Sequence, residues 1–271
     1  MLDAYFARIG YGGSTAASLA TLRALHALHP AAIPFEALDP LLHRPVSLEP
    51  EALERKLIAS RRGGYCFEQN AVFAAVLRAL GFTLTDLAAR VVWNAPPDAP
   101  MTPRTHRLML VALEGAVWLA DVGFGGYLAD APLLLEAGRE QATPMGRFLL
   151  REQDGAWLLS VHAGGAWRPA YRFTLEAQAP VDYEPANWFT ATHPASLFRH
   201  NLLMERLTPA WRASLFNRGL TIRHADGRSE ARSLDDAADL AGVLAGIFAI
   251  DPPAEPAAIF ARLPAEPATS R

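Results

Sequence analysis

A single cysteine, Cys66, stands in the segment Arg62-Gly63-Gly64-Tyr65-Cys66-Phe67-Glu68. Adjacent glycines let a backbone turn sharply and let a ligand or a neighbouring chain come close. Behind that turn, Phe73, Val76, Leu77 and Leu80 recur at the spacing of one helical stripe. This predicts a helix from near Cys66 to Leu80, with Gly81 as its C-cap. Cys66 then opens the helix, where the partial positive charge of an N-terminus favours thiolate over thiol. One reading is a nucleophile for acyl transfer. The other is a small buried hydrophobe, the usual fate of a free cysteine.

A base and its orienting acid stand further along. The runs HRLMLVAL and AVWLADVGF read as two strands joined at Glu114-Gly115. With those two residues as the turn, Asp121 falls opposite Leu108, and His106 shares its sheet face as a diagonal neighbour. A three-residue loop would put the two side chains on opposite faces. In the first register, Asp121 accepts from one ring nitrogen of His106 and leaves the other for Cys66. An unpaired Asp in an apolar strand is costly, so Asp121 requires a partner. A purely structural His–Asp hydrogen bond is the alternative; the lone cysteine after Arg-Gly-Gly favours a triad.

Other candidates carry less. His26 and His29 lie at i, i+3 on a helix, but no third residue has a metal-ligand spacing, and a solvated face is the expectation. Gly123-Phe124-Gly125-Gly126 follows a strand, yet no helix pattern opens behind it, which argues against a dinucleotide fingerprint. A loop that lets a ligand approach the backbone beside Asp121 is compatible with these glycines.

The elements needed to position these groups read as helices first, strands next and a mixed piece last. Ser14 is expected to cap a helix through Leu19, Leu22, Leu25 and Leu28, broken by Pro30 and Pro34. Another helix follows Pro50, with Leu53 and Leu57 inward. From about residue 84 the period becomes two, with Leu87, Ala89, Val91 and Trp93 on one face. Strands are expected at 148–150, 157–161, 171–175 and 220–224. Ser233 with Asp236 resembles a capping box that opens a helix through Leu240, Leu244 and Phe248. This order indicates α+β rather than a doubly wound sheet.

Bulk properties exclude several classes. The net charge is −3, with no basic stripe for nucleic acid. The longest apolar stretch, 240–250, is interrupted by Gly242 and Gly246 and is far short of the roughly 20 residues of a membrane span. The N-terminal residues lack a secretory pattern, and one cysteine precludes an intrachain disulfide. A cytoplasmic location without a membrane partner is the expectation.

Three segments in order resemble the arylamine N-acetyltransferase family. They are Arg62-Gly63-Gly64-Tyr65-Cys66-Phe67-Glu68-Gln69-Asn70, Pro103-Arg104-Thr105-His106, and Leu119-Ala120-Asp121-Val122-Gly123-Phe124-Gly125. Similarity extends to Tyr5 to Gly10, Ile33-Pro34-Phe35-Glu36, Arg44-Pro45 and the run from Asn187 to Phe198. One departure is Ala37, where the family has an Asn that reads as a structural hydrogen-bonder.

The resemblance implies a helical bundle (1–83) carrying the nucleophile, a β-barrel (84–190) carrying His and Asp, and an α/β lid (191–271), around a core similar to that of cysteine proteases. It implies Cys66, His106 and Asp121 as catalytic residues, acetyl-CoA as donor with no metal, and arylamines, arylhydrazines or N-hydroxyarylamines as acceptors, by ping-pong chemistry through an acetyl-cysteine. Tyr65, Phe124, Gly125, Gly126 and Phe198 are candidates to line the acceptor site, the two phenylalanines being equally suited to the core. Arg104 either touches the CoA phosphates or faces solvent. The residues alone do not separate this from a hydrolase with the same triad, and a non-catalytic domain would not require all three groups.

Overall fold

The computed structural model describes residues 1–96 and 98–264. The helical part comprises α1 (Leu2–Ile9), α2 (Leu19–Ala32), α3 (Leu38–Leu41), α4 (Pro50–Leu53) and α5 (Cys66–Ala79), with a π-helical turn at Glu54–Ala59. A short strand, β1 (Phe35–Glu36), lies among them. Then come β2 (Thr83–Val91), β3 (Arg104–Leu113), β4 (Ala116–Ala120), β5 (Leu133–Leu134), β6 (Glu140–Thr143), β7 (Gly146–Gln153), β8 (Ala156–Ala163) and β9 (Ala166–Phe173). The last part holds α6 (Tyr183–Thr192), β10 (Leu203–Leu207), β11 (Trp211–Phe216), β12 (Gly219–His224), β13 (Ser229–Ser233), α7 (Ala237–Gly246) and α8 (Pro256–Phe260). The class is α+β, as expected. Among the described residues, no helix is long and apolar enough to cross a membrane.

Eight strands form one antiparallel sheet in the order β5-β4-β3-β2-β9-β8-β7-β6, curled into a nearly closed barrel. The second sheet has the order β1-β10-β11-β12-β13, so a strand from the helical part enters the C-terminal sheet. Leu87 and Ala89 are buried in the barrel core with Val91 and Trp93 packed on it, which bears out the period-two reading.

The hairpin that orders the site adopts the two-residue register. Leu113 pairs with Ala116 and Met109 with Ala120. Glu114 and Gly115 have φ of 52° and 75°, the twin left-handed geometry that matches strand twist. On the other edge of β3, Ala89 pairs with His106 and Arg90 with Arg104, so Thr105 is an unpaired extra residue. Such a bulge re-aims the chain locally, here immediately before the histidine.

Helix α5 begins and ends as its sequence dictates. Glu68 reaches back so that its carboxylate accepts the Tyr65 N–H at 3.0 Å. At the other end Gly81 takes φ of 84°, Phe82 N–H bonds Leu77 O at 3.0 Å and Gly81 N–H bonds Arg78 O at 2.9 Å, a Schellman closure.

Several local expectations are corrected. Ser18, not Ser14, caps α2, its hydroxyl accepting from Thr21 N–H. Pro30 does not end that helix: it forgoes the bond its N–H would make to the His26 carbonyl, a loss of one bond in the last turn, and α2 continues to Ala32. The buried stripe of α2 is Leu22, Leu25, His26 and His29, because spacings of three alone drift off a 3.6-residue face. Asp236, not Ser233, caps α7 by accepting from Asp239 N–H at 2.8 Å; Ser233 ends β13, and Phe248 lies beyond the helix, fully buried in the C-terminal core. Ala37 is buried and offers no cap to α3; the Glu36 carboxylate accepts the Leu38 N–H instead, at 2.7 Å.

Candidate active site

The turn before Cys66 is built by close approach of chains. A Cβ on Gly63 would stand 2.0 Å from the Pro34 carbonyl oxygen, so only glycine fits there. The charged groups around the turn face inward. Arg62 Nη2 lies 2.6 Å from Glu36 Oε1, and Lys56 Nζ sits between Asp39 (2.6 Å) and Glu68 (2.7 Å). Burial pushes the Glu68 carboxyl up to about 7 although the Lys56 charge opposes it. Arg62 is therefore a structural cation beneath the turn that precedes Cys66.

Cys66, His106 and Asp121 meet in the interior, each 5% exposed or less. His106 Nε2 lies 2.7 Å from Asp121 Oδ2, which leaves Nδ1 for the cysteine. The Cys66 Sγ lies 3.4 Å from the carbonyl of Thr105, the bulged residue beside His106. Burial disfavours the imidazolium, but the Asp121 charge and hydrogen bond, with the Cys66 side chain, outweigh it and hold the His106 pKa up at about 10. Asp121 is held below the usual carboxylate range: burial acts against this, and the His106 charge with hydrogen bonds from His106, Asn70 and Gly123 N–H overcomes it.

One side chain ties the two halves together. Asn70, one turn after Cys66 on α5, donates to Asp121 Oδ1 (2.9 Å) and to Arg107 O (2.6 Å), and accepts from Val122 N–H (3.0 Å). Gly123 lets the strands press on the helix, since a Cβ there would lie 2.8 Å from Cys66 Cα. The His106 ring is confined by Tyr171 (centroids 4.9 Å apart) and by Phe124 (5.4 Å, edge-on).

The remaining predicted positions divide. Phe124 is buried against His106, and Gly125 and Gly126 continue that loop half-buried, packed on Phe35 and on Phe124 with Trp93. Phe198 is half-buried on Phe35 and Tyr65. Tyr65 has no exposed surface, and its hydroxyl donates to Asn187 Oδ1. Arg104 lies on the surface, paired with Glu176 at 2.8 Å.

The solvated face expected for His26 and His29 is overturned: both are fully buried. His26 Nε2 accepts the Asp121 N–H at 3.2 Å, and His29 bonds Tyr5 and Gln69. The signal was the i, i+3, i+4, i+7 stripe Leu22, Leu25, His26, His29, in which the histidines continue the apolar face. Asn70 was visible only as part of its motif. Among the described residues, no group of three or more His, Cys, Asp or Glu is placed to hold a metal ion.

A buried thiol, imidazole and carboxylate are thus held together between a helix start and a barrel hairpin. An N-acetyltransferase family model matches residues 18–255. The chain is 45% identical over 251 residues to the arylamine N-acetyltransferase of Escherichia coli, covering 92% of this chain and 89% of that protein. It is 44% identical over 208 residues, 77% of this chain and 73% of the relative, to a Salmonella typhimurium protein named arylamine N-acetyltransferase / N-hydroxyarylamine O-acetyltransferase. Its fold is similar to the Mycobacterium marinum arylamine N-acetyltransferase in complex with CoA, with a TM-score of 0.92, 38% identity and coverage of 97% and 98% of the two chains. The chain belongs to the arylamine N-acetyltransferase family.

Proposed function

We propose that this chain transfers the acetyl group of acetyl-CoA to arylamines, arylhydrazines or N-hydroxyarylamines through an acetyl-Cys66 intermediate. The observation that carries this reading is the 2.7 Å His106–Asp121 contact beside a cysteine that opens a helix. The Cys66 thiolate attacks the acetyl carbonyl, a new thioester forms, and the carbon–sulfur bond to CoA breaks. CoA leaves as a thiol with the proton carried by the His106 imidazolium. An amine then attacks the acetyl-cysteine, His106 accepts its proton, and Cys66 leaves as thiolate. Asp121 keeps the Nε2 tautomer and stabilises the charged ring. The Cys66 N–H, at the first turn of α5, donates to the oxyanion of both tetrahedral intermediates.

Arylamines suit the second step because a weakly basic amine is unprotonated near neutral pH. Phe124, Gly125 and Gly126 form the wall of the acceptor site nearest His106, Phe198 lies at its edge, and Tyr65 backs it from the interior. Arg104 contributes to the CoA phosphates from the surface. The test is CoA release from acetyl-CoA, with and without an aromatic amine, in wild type and Cys66→Ala. Amine-dependent release lost in the variant is expected. Release that ignores the amine would assign a hydrolase instead.

A further inference from the structure

Two buried histidines one turn apart on α2 each hold a different half of the site. His26 Nε2 accepts the backbone N–H of Asp121, on the barrel side. His29 Nε2 lies 2.6 Å from Gln69 Oε1, and the Gln69 amide nitrogen donates to the carbonyls of Ile33, Pro34 and Gly64; Gly64 stands two positions before Cys66. Donor and acceptor matching then assigns the protons. An acceptor Nε2 on His26 requires its proton on Nδ1. Gln69 uses its nitrogen as donor, so its oxygen accepts and His29 carries its proton on Nε2, leaving Nδ1 to accept from the Tyr5 hydroxyl at 2.8 Å. The two rings are neutral and in opposite tautomers.

We infer that His26 and His29 are positioning residues that set the Cys66 turn against the His106–Asp121 hairpin, with α2 as the rigid strut between them. This rests on the reading of Cys66, His106 and Asp121 as a triad. A protonated His26 would present a second donor to the Asp121 N–H and release the segment that carries the carboxylate. Burial opposes that charge and lowers the His26 pKa to about 4, while Asp121 favours it; burial likewise lowers His29 to about 3. The titratable and charged groups facing the pair are Asp121 and, through it, His106; Tyr127 and Tyr171 from the barrel; and Tyr5 and Arg8 from α1.

Nitrogen-15 NMR of the histidine rings between about pH 5 and 8 reads the tautomers directly. Neutral His26 with Nδ1–H and neutral His29 with Nε2–H are expected; a charged ring in that range, or the reverse tautomers, overturns the proposal. The functional arm compares iodoacetamide alkylation of Cys66 against pH in wild type, His26→Phe, His26→Gln and His106→Ala. Glutamine keeps an acceptor at the Nε2 position without a titratable ring. His26→Phe should move the profile toward that of His106→Ala and cut acetyl transfer on the order of 100-fold, with His26→Gln within about threefold of wild type. If wild type and His106→Ala share one profile, the triad reading falls and this proposal with it. If they differ while folded His26→Phe follows wild type, only the positioning role falls. Should the phenylalanine variant not fold, the ring tautomers decide.

Discussion

The two halves of the site are held by different physics. On the cysteine side, the turn at 62–65 relies on buried charge: Arg62, Lys56, Glu36, Asp39 and Glu68 form one ionic cluster, and Gly63 leaves no room for a side chain against Pro34. On the hairpin side, His106 and Asp121 sit in a frame of strand register, aromatic rings and hydrogen bonds. The ionic cluster fixes a loop that has no regular pairing of its own, whereas the hairpin inherits its precision from the barrel. The cysteine side should therefore fail mainly through loss of stability, and the hairpin side mainly through loss of rate.

The largest expected effect is on rate. Asp121→Asn, which retains shape but favours the wrong imidazole tautomer, should lower kcat by about 10⁴-fold in protein that remains folded, read by steady-state kinetics with calorimetry. Lys56→Met should do the opposite. It leaves Asp39 and Glu68 buried without their shared cation, and a loss of about 3–5 kcal/mol in denaturant unfolding is expected. A variant that unfolds normally and merely loses rate would erase the distinction between the halves.

Acid sharpens the comparison. His26 and His29 are neutral in the fold with pKa about 4 and about 3, so the unfolded chain binds more protons below its ordinary histidine value. Stability should fall as pH drops from about 6.5 through about 4 and on to about 3, by several kcal/mol in all. His106 acts in the other direction: its stabilising contribution is full below about 6.5 and is lost as pH rises through about 10. Urea unfolding across this range reads both limbs. The smallest effect is expected at Arg104: paired with Glu176 on the surface, its replacement by Ala should change stability by less than about 1 kcal/mol and act on the KM for acetyl-CoA.

Much of the hairpin side was legible in the sequence, because a two-residue turn and a period of two determine which residues share a face. That reasoning placed His106 beside Asp121 from Glu114-Gly115 alone, and the observed register agrees. The start and end of α5 were legible for the same local reason. What escaped was long-range. The stripe of α2 carries His26 and His29 on its apolar face, but their partners Asp121 and Gln69 lie dozens of residues away. Strands β10 and β11 were missed because Glu205 and Arg212 interrupt their apolar pattern; the two residues pair with each other in the interior at 2.5 Å. Helix α6 was missed as well, its buried face resting on Tyr183, Asn187, Thr190 and Ala191 rather than on an aliphatic stripe.

The proposed transfer requires a covalent acetyl-enzyme on Cys66, the only cysteine. Intact and peptide mass spectrometry after rapid mixing with acetyl-CoA, in the absence of amine, tests it directly. A single acetyl group on the Cys66 peptide, discharged when an aromatic amine is added, is the predicted result. Amide product formed at full rate with no acetyl-Cys66 at any time, in protein whose Cys66 is free to alkylate, would contradict it.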